Sequence, residues 1–121
     1  GVAAGADPAR LLEVLSTSFG QSRVLQRSGP RFLARRFDDA APVRLLLKDL
    51  TLVEELGDEL GVDLSLTRVV DRLCRSAEAM GLAEADFAAL IVPLERKAGV
   101  EVGRGRSQDG ATETRNVERG S

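Results

Sequence analysis

The stretch VRLLLKDLTLVEELGDEL, Val43 to Leu60, constrains this chain more than any other feature. An advance of about 100° per residue places Val43, Leu46, Leu47, Leu50, Val53 and Leu60 on one broad stripe. Leu45, Leu52 and Leu56 form a second stripe on another side. Only the arc of Arg44, Lys48, Thr51, Glu55, Asp58 and Glu59 is consistently polar. A helix apolar around most of its circumference is usually buried at the centre of a bundle, or against a second domain or subunit. The expectation is a central helix.

The flanking sequence supplies further helices. In ADPARLLEVLSTSFG, Asp7 caps a helix whose first residue is Pro8, because proline has no N–H to leave unsatisfied and its φ is already helical. Leu11, Leu12 and Leu15 share a face, and Gly20 marks the stop. Gln21 to Arg36 reads as shorter helical pieces broken at Ser28-Gly29-Pro30, since the residue before proline is driven out of helical geometry. Phe32, Leu33 and Phe37 anchor this segment, and the loop DDAAP follows. Gly61 closes the central helix. The next helix starts at Ser65 as cap, with a Leu64 to Val69 staple, presents Leu66, Val69, Val70, Leu73, Ala77 and Met80 as its core stripe, and stops at Gly81. The last runs from its cap Asp86 to about Ala98, burying Phe87, Leu90, Ile91 and Leu94, with a kink at Pro93.

No segment alternates with the two-residue period of a strand. The expected fold is all-α, a compact bundle of four to five helices over residues 1–100. Residues 101–121, with few apolar side chains and balanced charge, read as a disordered polar tail, and Arg104 and Arg106 within it are offset by nearby acids.

Composition removes several functions. Of 121 residues 43% are hydrophobic, enough for one domain core, and a net charge of -2 provides no field to gather nucleic acid or an anionic membrane. Histidine is absent, which excludes Ser-His-Asp and Cys-His pairs and His-based metal sites. No catalytic residue and no metal ligand set is expected. Cys74 is the single cysteine, so no intrachain disulfide forms, which fits a cytoplasmic protein. No run reaches the roughly 20 apolar residues that cross a bilayer. The opening GVAAGADPAR has neither an initiator methionine nor the pattern of a secretory signal, and reads as the middle of a longer protein. No dinucleotide or Walker phosphate loop is found.

Lys48 and Asp49 stand side by side within the leucines. Successive helical residues point apart, so the pair is expected to serve different surroundings. Lys48 lies at the edge of the polar arc, one turn after Arg44. Asp49 projects among Leu45, Leu52 and Leu56, where an ionised carboxylate requires a partner from elsewhere.

The order of AAGADPARLLEVLSTSFGQSRVLQRSGPRFLARRF and LLLKDLTLVEELGDELGVDLSLTRVVDRLCRSAEAMGLAEADFAALI closely resembles the C-terminal helical domain of the β-hydroxyacid dehydrogenases. That family includes 3-hydroxyisobutyrate dehydrogenase, tartronate semialdehyde reductase and the related 6-phosphogluconate dehydrogenases. The resemblance covers Val2 to Val100 and is most specific in A-G-x-D-P-x-x-L-L-E-V-L, K-D-L, E-L-G-V and G-L-x-x-x-D-F-x-A-L-I. It implies a 6-phosphogluconate-dehydrogenase-like helical fold. It also implies an NAD- or NADP-dependent oxidoreductase acting on a small 3-hydroxy acid or its semialdehyde.

By the same resemblance, an N-terminal Rossmann domain is the partner and a homo-oligomer is expected. Lys48 contacts the cofactor and Asp49 supports the active site. The Rossmann fingerprint and the G-x-x-G-x-x-x-K-x-x-N helix with the family's catalytic lysine are not in this sequence. Ala41 replaces a phenylalanine common on the substrate wall, and Pro93 is unusual in the last helix. The alternative expectation is a free-standing helical oligomerisation module without enzymatic activity.

Overall fold

The computed structural model describes residues 1–38 and 41–103. After a single 3-10 turn at Val2–Ala4 come α1 (Pro8–Ser16), α2 (Arg23–Ala34), α3 (Val43–Leu60) and α4 (Ser65–Ala79). A 3-10 turn at Phe87–Leu90 leads into α5 (Ile91–Ala98). Among the described residues there is no strand, only one antiparallel bridge between Pro42 and Asp86. The all-α expectation holds. Residues 39–40 of the expected loop, and 104–121 of the expected tail with Arg104 and Arg106, lie outside the described residues.

Local signals set most helix ends. Asp7 accepts from the Arg10 amide at 2.9 Å and Pro8 opens α1, as the sequence predicts. Gly61, Gly81 and Gly99 each take a left-handed φ, of 65°, 79° and 67°, just past α3, α4 and α5. This is the backbone region that only glycine enters without steric cost, which is why these helices stop there. Helix α1 ends earlier than Gly20, at Ser16.

Four expectations need correction. The first concerns α2, which is continuous across Pro30 instead of broken at Ser28-Gly29-Pro30. Proline clashes with the Cβ of the residue before it, and Gly29 has none. Gly29 is buried so closely against α1 that an added Cβ would lie 2.3 Å from Leu12 Cδ1. Packing of α1 onto α2 therefore holds the helix through the proline.

The second concerns the cap of α4. Leu64, not Ser65, is the cap residue, and the acid Asp63 accepts from Ser65 N at 3.1 Å and Ser65 Oγ at 2.7 Å. Val69 is exposed, so no staple to Leu64 forms; Leu64 packs against Gly57 of α3 instead.

The third concerns which faces are buried. Helices α3 and α4 form the main packing unit, and the core consists of Val43, Leu47, Cys74 and Ala77, with Leu46, Leu50, Leu82 and Leu90 against it. On α3 the inward line is Val43, Leu47, Leu50, Glu54 and Gly57, a spacing of alternating four and three residues suited to antiparallel helix packing. Val53 and Leu60 of the first stripe are exposed, as are Leu45, Leu52 and Leu56 of the second. On α4 the buried residues are Asp71, Cys74 and Ala77, while Leu66 is 83% exposed and Val69 and Val70 are open as well. Thus α3 is not enclosed by this chain: its neighbour covers one seam. Small residues line that seam: Gly57 leaves room for the side chain of Leu64, and Cys74 and Ala77 lie in the core.

The fourth concerns the last helix, which is not a single α-helix from Asp86. A 3-10 turn ends at Leu90, the α-helix begins at Ile91, and Pro93 falls in its first turn, where amides lack intrahelical partners in any case. Leu94 points to solvent. Beyond α5, the Glu95 carboxylate accepts from Arg35 Nη1 at 2.5 Å and from Val102 N at 2.6 Å. Glu101 to Gly103 therefore pack back on α2, where Gly103 sits so near the carbonyls of Phe32 and Leu33 that no Cβ fits.

Candidate functional site

Helix α3 begins without a side-chain cap, since Pro42 has nothing to offer its amides. Its first two N–H groups are satisfied from a distant segment: Val43 N donates to Ala85 O and Arg44 N to Ala83 O, both at 3.0 Å. The guanidinium of Arg44 also reaches Glu84, Nε to Oε1 2.9 Å. This pinning fixes the rotation of α3. Val43 and Leu47 face the core, and Lys48, about 100° further round, faces out.

The structure places Lys48 and Asp49 together and in the open. Lys48 Nζ lies 2.8 Å from Asp49 Oδ1, and the two side chains are 62% and 65% exposed. The expectation of separate surroundings, with a remote partner for Asp49, is thereby corrected. Both side chains are at the surface, where the lysine's four-carbon stem swings its ammonium across the angle between neighbouring Cβ atoms. An ion pair this exposed contributes about 0–1 kcal/mol, so either member exchanges its partner easily for a ligand. Around Asp49 the exposed side chains of Leu45, Leu52, Leu56 and Leu60 form an apolar arc. An ammonium that can be redirected suits a ligand's anionic or carbonyl oxygen, and the leucines suit an apolar surface.

A second charged cluster joins α2 to the segment before the Phe87–Leu90 turn and does not follow from the sequence pattern. Asp86 was read as a cap, and it is one: its Oδ1 accepts from Ala88 N at 2.9 Å. It is also fully buried and gripped by Arg27 of α2, with Nη1 to Oδ1 at 3.0 Å and Nη2 to Oδ2 at 2.5 Å. Hydrogen bonding from Arg27 chiefly, then from Ala88, holds the Asp86 carboxyl below the ordinary carboxylate range against the opposing effect of burial. The Arg27 guanidinium lies over the Phe87 ring, 4.4 Å from its centroid. The signal that pointed here is the four-residue spacing of Arg23, Arg27, Arg31 and Arg35, which sets arginines along one face of α2. Ala41 is half-buried, and its carbonyl accepts from Phe87 N at 2.9 Å.

Cys74 is fully buried, and burial first, then the charge of Asp71, pushes its thiol above the usual value. A protonated thiol out of reach of solvent is core filling, not a nucleophile. Among the described residues no group of three or more Cys, Asp or Glu side chains is placed to hold a metal, and no helix is long and apolar enough to cross a membrane.

These features define a class: a helical domain that displays an exposed lysine–aspartate pair beside an open apolar face. A family model described as the NAD-binding domain of NADP-dependent 3-hydroxyisobutyrate dehydrogenase matches residues 1–94. The chain belongs to this family of NAD(P)-dependent hydroxyacid dehydrogenases, the β-hydroxyacid dehydrogenases.

Among its relatives, 2-hydroxy-3-oxopropionate reductase of Escherichia coli (strain K12) is 34% identical over 95 residues, 78% of this chain and 32% of that protein. The 2-(hydroxymethyl)glutarate dehydrogenase of Eubacterium barkeri is 31% identical over 107 residues, 88% of this chain and 36% of the relative. A probable 3-hydroxyisobutyrate dehydrogenase-like 1, mitochondrial, of Arabidopsis thaliana is 31% identical over 99 residues, 82% and 30% of the two. The chain spans about a third of the length of these curated relatives.

Proposed function

We propose that this chain is the C-terminal helical domain of an NAD(P)-dependent dehydrogenase of small 3-hydroxy acids or their semialdehydes, with the fold of the 6-phosphogluconate dehydrogenase C-terminal domain. The observation that carries the reading is the family match over residues 1–94 together with the placement of Lys48 on an open face. In this reading a Rossmann domain elsewhere in the protein binds the dinucleotide, and α3 closes over it. The nicotinamide, when bound, supplies or accepts the hydride.

The residues of this chain do the rest. Lys48 would exchange Asp49 for the cofactor and help to hold it with its ammonium. Asp49 then holds the side of the site, and the leucines around it keep water from the seam. Ala41, small where a larger side chain would narrow the wall, leaves room for the substrate. Cofactor choice between NAD and NADP, the catalytic lysine and the cytoplasmic setting belong to the complete enzyme. The test is kinetic: in the complete protein Lys48→Ala should raise the cofactor KM by about tenfold, the loss of one charge-assisted contact of about 1.4 kcal/mol. Unchanged cofactor kinetics, or a complete protein with no dinucleotide-binding domain, would sink the reading.

A second reading follows from the open apolar surface of α3 and α4. Leu52 and Leu56 on α3 and Leu66 and Val69 on α4 are exposed, and apolar side chains that gather into a surface patch mark interaction sites. A helical oligomerisation module without enzymatic activity would use it. Sedimentation separates the two: a monomer at high concentration speaks against the module.

A further inference from the structure

Lys48 lies in the second turn of α3, and α3 does not hold its own start. A helix leaves its first four N–H groups without intrahelical partners, and here the first two are taken by the carbonyls of Ala85 and Ala83. Those two carbonyls set where α3 begins and in which direction each side chain leaves it. The segment that carries them is anchored in turn by Asp86. Its amide donates to Phe37 O at 2.9 Å, the next amide, of Phe87, donates to Ala41 O at 2.9 Å, and its buried carboxylate is held at both oxygens by Arg27. The chain of support runs from α2 through one ion pair to the residue that faces outward on α3.

We propose that Arg27 and Asp86 are positioning residues for Lys48: their two-point ion pair fixes the 83–87 segment on α2, and the carbonyls of Ala83 and Ala85 pass that position to α3. The claim deepens, and rests on, the reading of Lys48 as the cofactor contact. Two-point geometry is what matters. A lysine at position 27 keeps the charge and loses the planar fork that matches both carboxylate oxygens. The ion pair of Lys48 is with Asp49, and the path from Arg27 and Asp86 to Lys48 runs through the backbone bonds to Ala83 and Ala85.

Two readouts on the complete protein test this. In hydrogen exchange, Arg27→Lys should speed exchange in peptides covering the start of α3, Val43 and Arg44, by tenfold or more. Peptides from the middle of α4, around Cys74, should change much less. A uniform change across both helices, or no change, overturns the proposal, because general loss of stability acts on both. If Arg27→Lys fails to fold, Asp86→Asn removes the charge being gripped, retains an acceptor for Ala88 N, and carries the same expectations.

In kinetics, Arg27→Lys should raise the cofactor KM several-fold with kcat within twofold. Adding Lys48→Ala to it should raise KM no further than Lys48→Ala alone. Additive effects overturn the coupling. If Lys48→Ala leaves KM unchanged while exchange at the α3 start responds, the cofactor reading fails and the positioning of α3 stands. If Lys48→Ala raises KM and Arg27→Lys alters neither readout, the positioning fails and the cofactor reading stands.

Discussion

Gly57→Ala should destabilise this protein, although the same change in most helices stabilises. Gly57 lies inside α3, where alanine is favoured over glycine by about 1 kcal/mol of helix propensity. Against that, a Cβ at this position would stand 2.3 Å from Leu64 Cδ1 and 3.0 Å from Leu64 Cγ, with Val62 O at 3.4 Å. Real contacts do not close to 2.3 Å, so Leu64 must leave the groove or the helices must part.

Leu64 is half-buried, and losing that burial costs about 1–1.5 kcal/mol, half the value of a fully buried leucine. Overpacking strain adds about 1–2 kcal/mol. The net effect is a loss of about 1–2.5 kcal/mol, or roughly 4–20 °C in Tm for a domain of this size. Thermal unfolding followed by circular dichroism measures it. The decisive comparison is with Leu64→Ala. In that background the obstruction is gone, so Gly57→Ala should stabilise by about 0.5–1 kcal/mol. Should Gly57→Ala stabilise in both backgrounds, α3 and α4 do not approach as described.

Three further outcomes follow from the same contacts. The Asp86 carboxyl is held below its ordinary value of 3.8, so its contribution to stability is complete above that pH and is lost as the pH falls through the lowered folded value. Urea unfolding between pH 5 and pH 2 should show the wild type losing stability relative to Asp86→Asn, and parallel curves would contradict the buried pair. Cys74, buried with its thiol raised, should resist iodoacetamide in the native protein at pH 8 and react rapidly in denaturant, as read by mass spectrometry; rapid native labelling would place it at the surface. Leu52→Gln and Leu56→Gln should each cost less than about 0.5 kcal/mol in this chain, despite removing leucines from a helix, because both side chains face solvent. A cost above about 2 kcal/mol in urea unfolding would mean that they are core residues.

The candidate site was partly legible. Lys48 and Asp49 stand out as charges inside a leucine run, and the position of Lys48 at the edge of the polar arc follows from helical geometry alone. Their 2.8 Å pairing did not follow, because successive Cβ atoms diverge and only the free end of a long, exposed side chain closes the gap. Asp86 announced itself as a cap by standing before FAAL, which is local information. Its bond to Arg27, 59 residues away, is not local, and neither is the support that Ala83 and Ala85 lend to α3. Nor could pattern alone show that Gly29 would excuse Pro30, since that depends on how closely Leu12 approaches.

The sequence by itself determined the all-helical class and several helix ends, because capping by Asp7 and the left-handed turns at Gly61, Gly81 and Gly99 are settled among residues a few positions apart, whereas the end of α1, the continuity of α2 and the start of α5 were not. Tertiary structure decided which faces those helices bury. Helix α3 carries more apolar surface than one neighbour can cover, and on α4 the stripe that holds Leu66, Val70 and Ala77 is buried at Ala77 but open at Leu66. Packing buries Cys74 and Ala77 against Val43 and Leu47 and leaves Leu52, Leu56 and Leu66 outside. Periodicity ranks faces by hydrophobicity, whereas packing selects them by fit, and fit exists only once two helices meet.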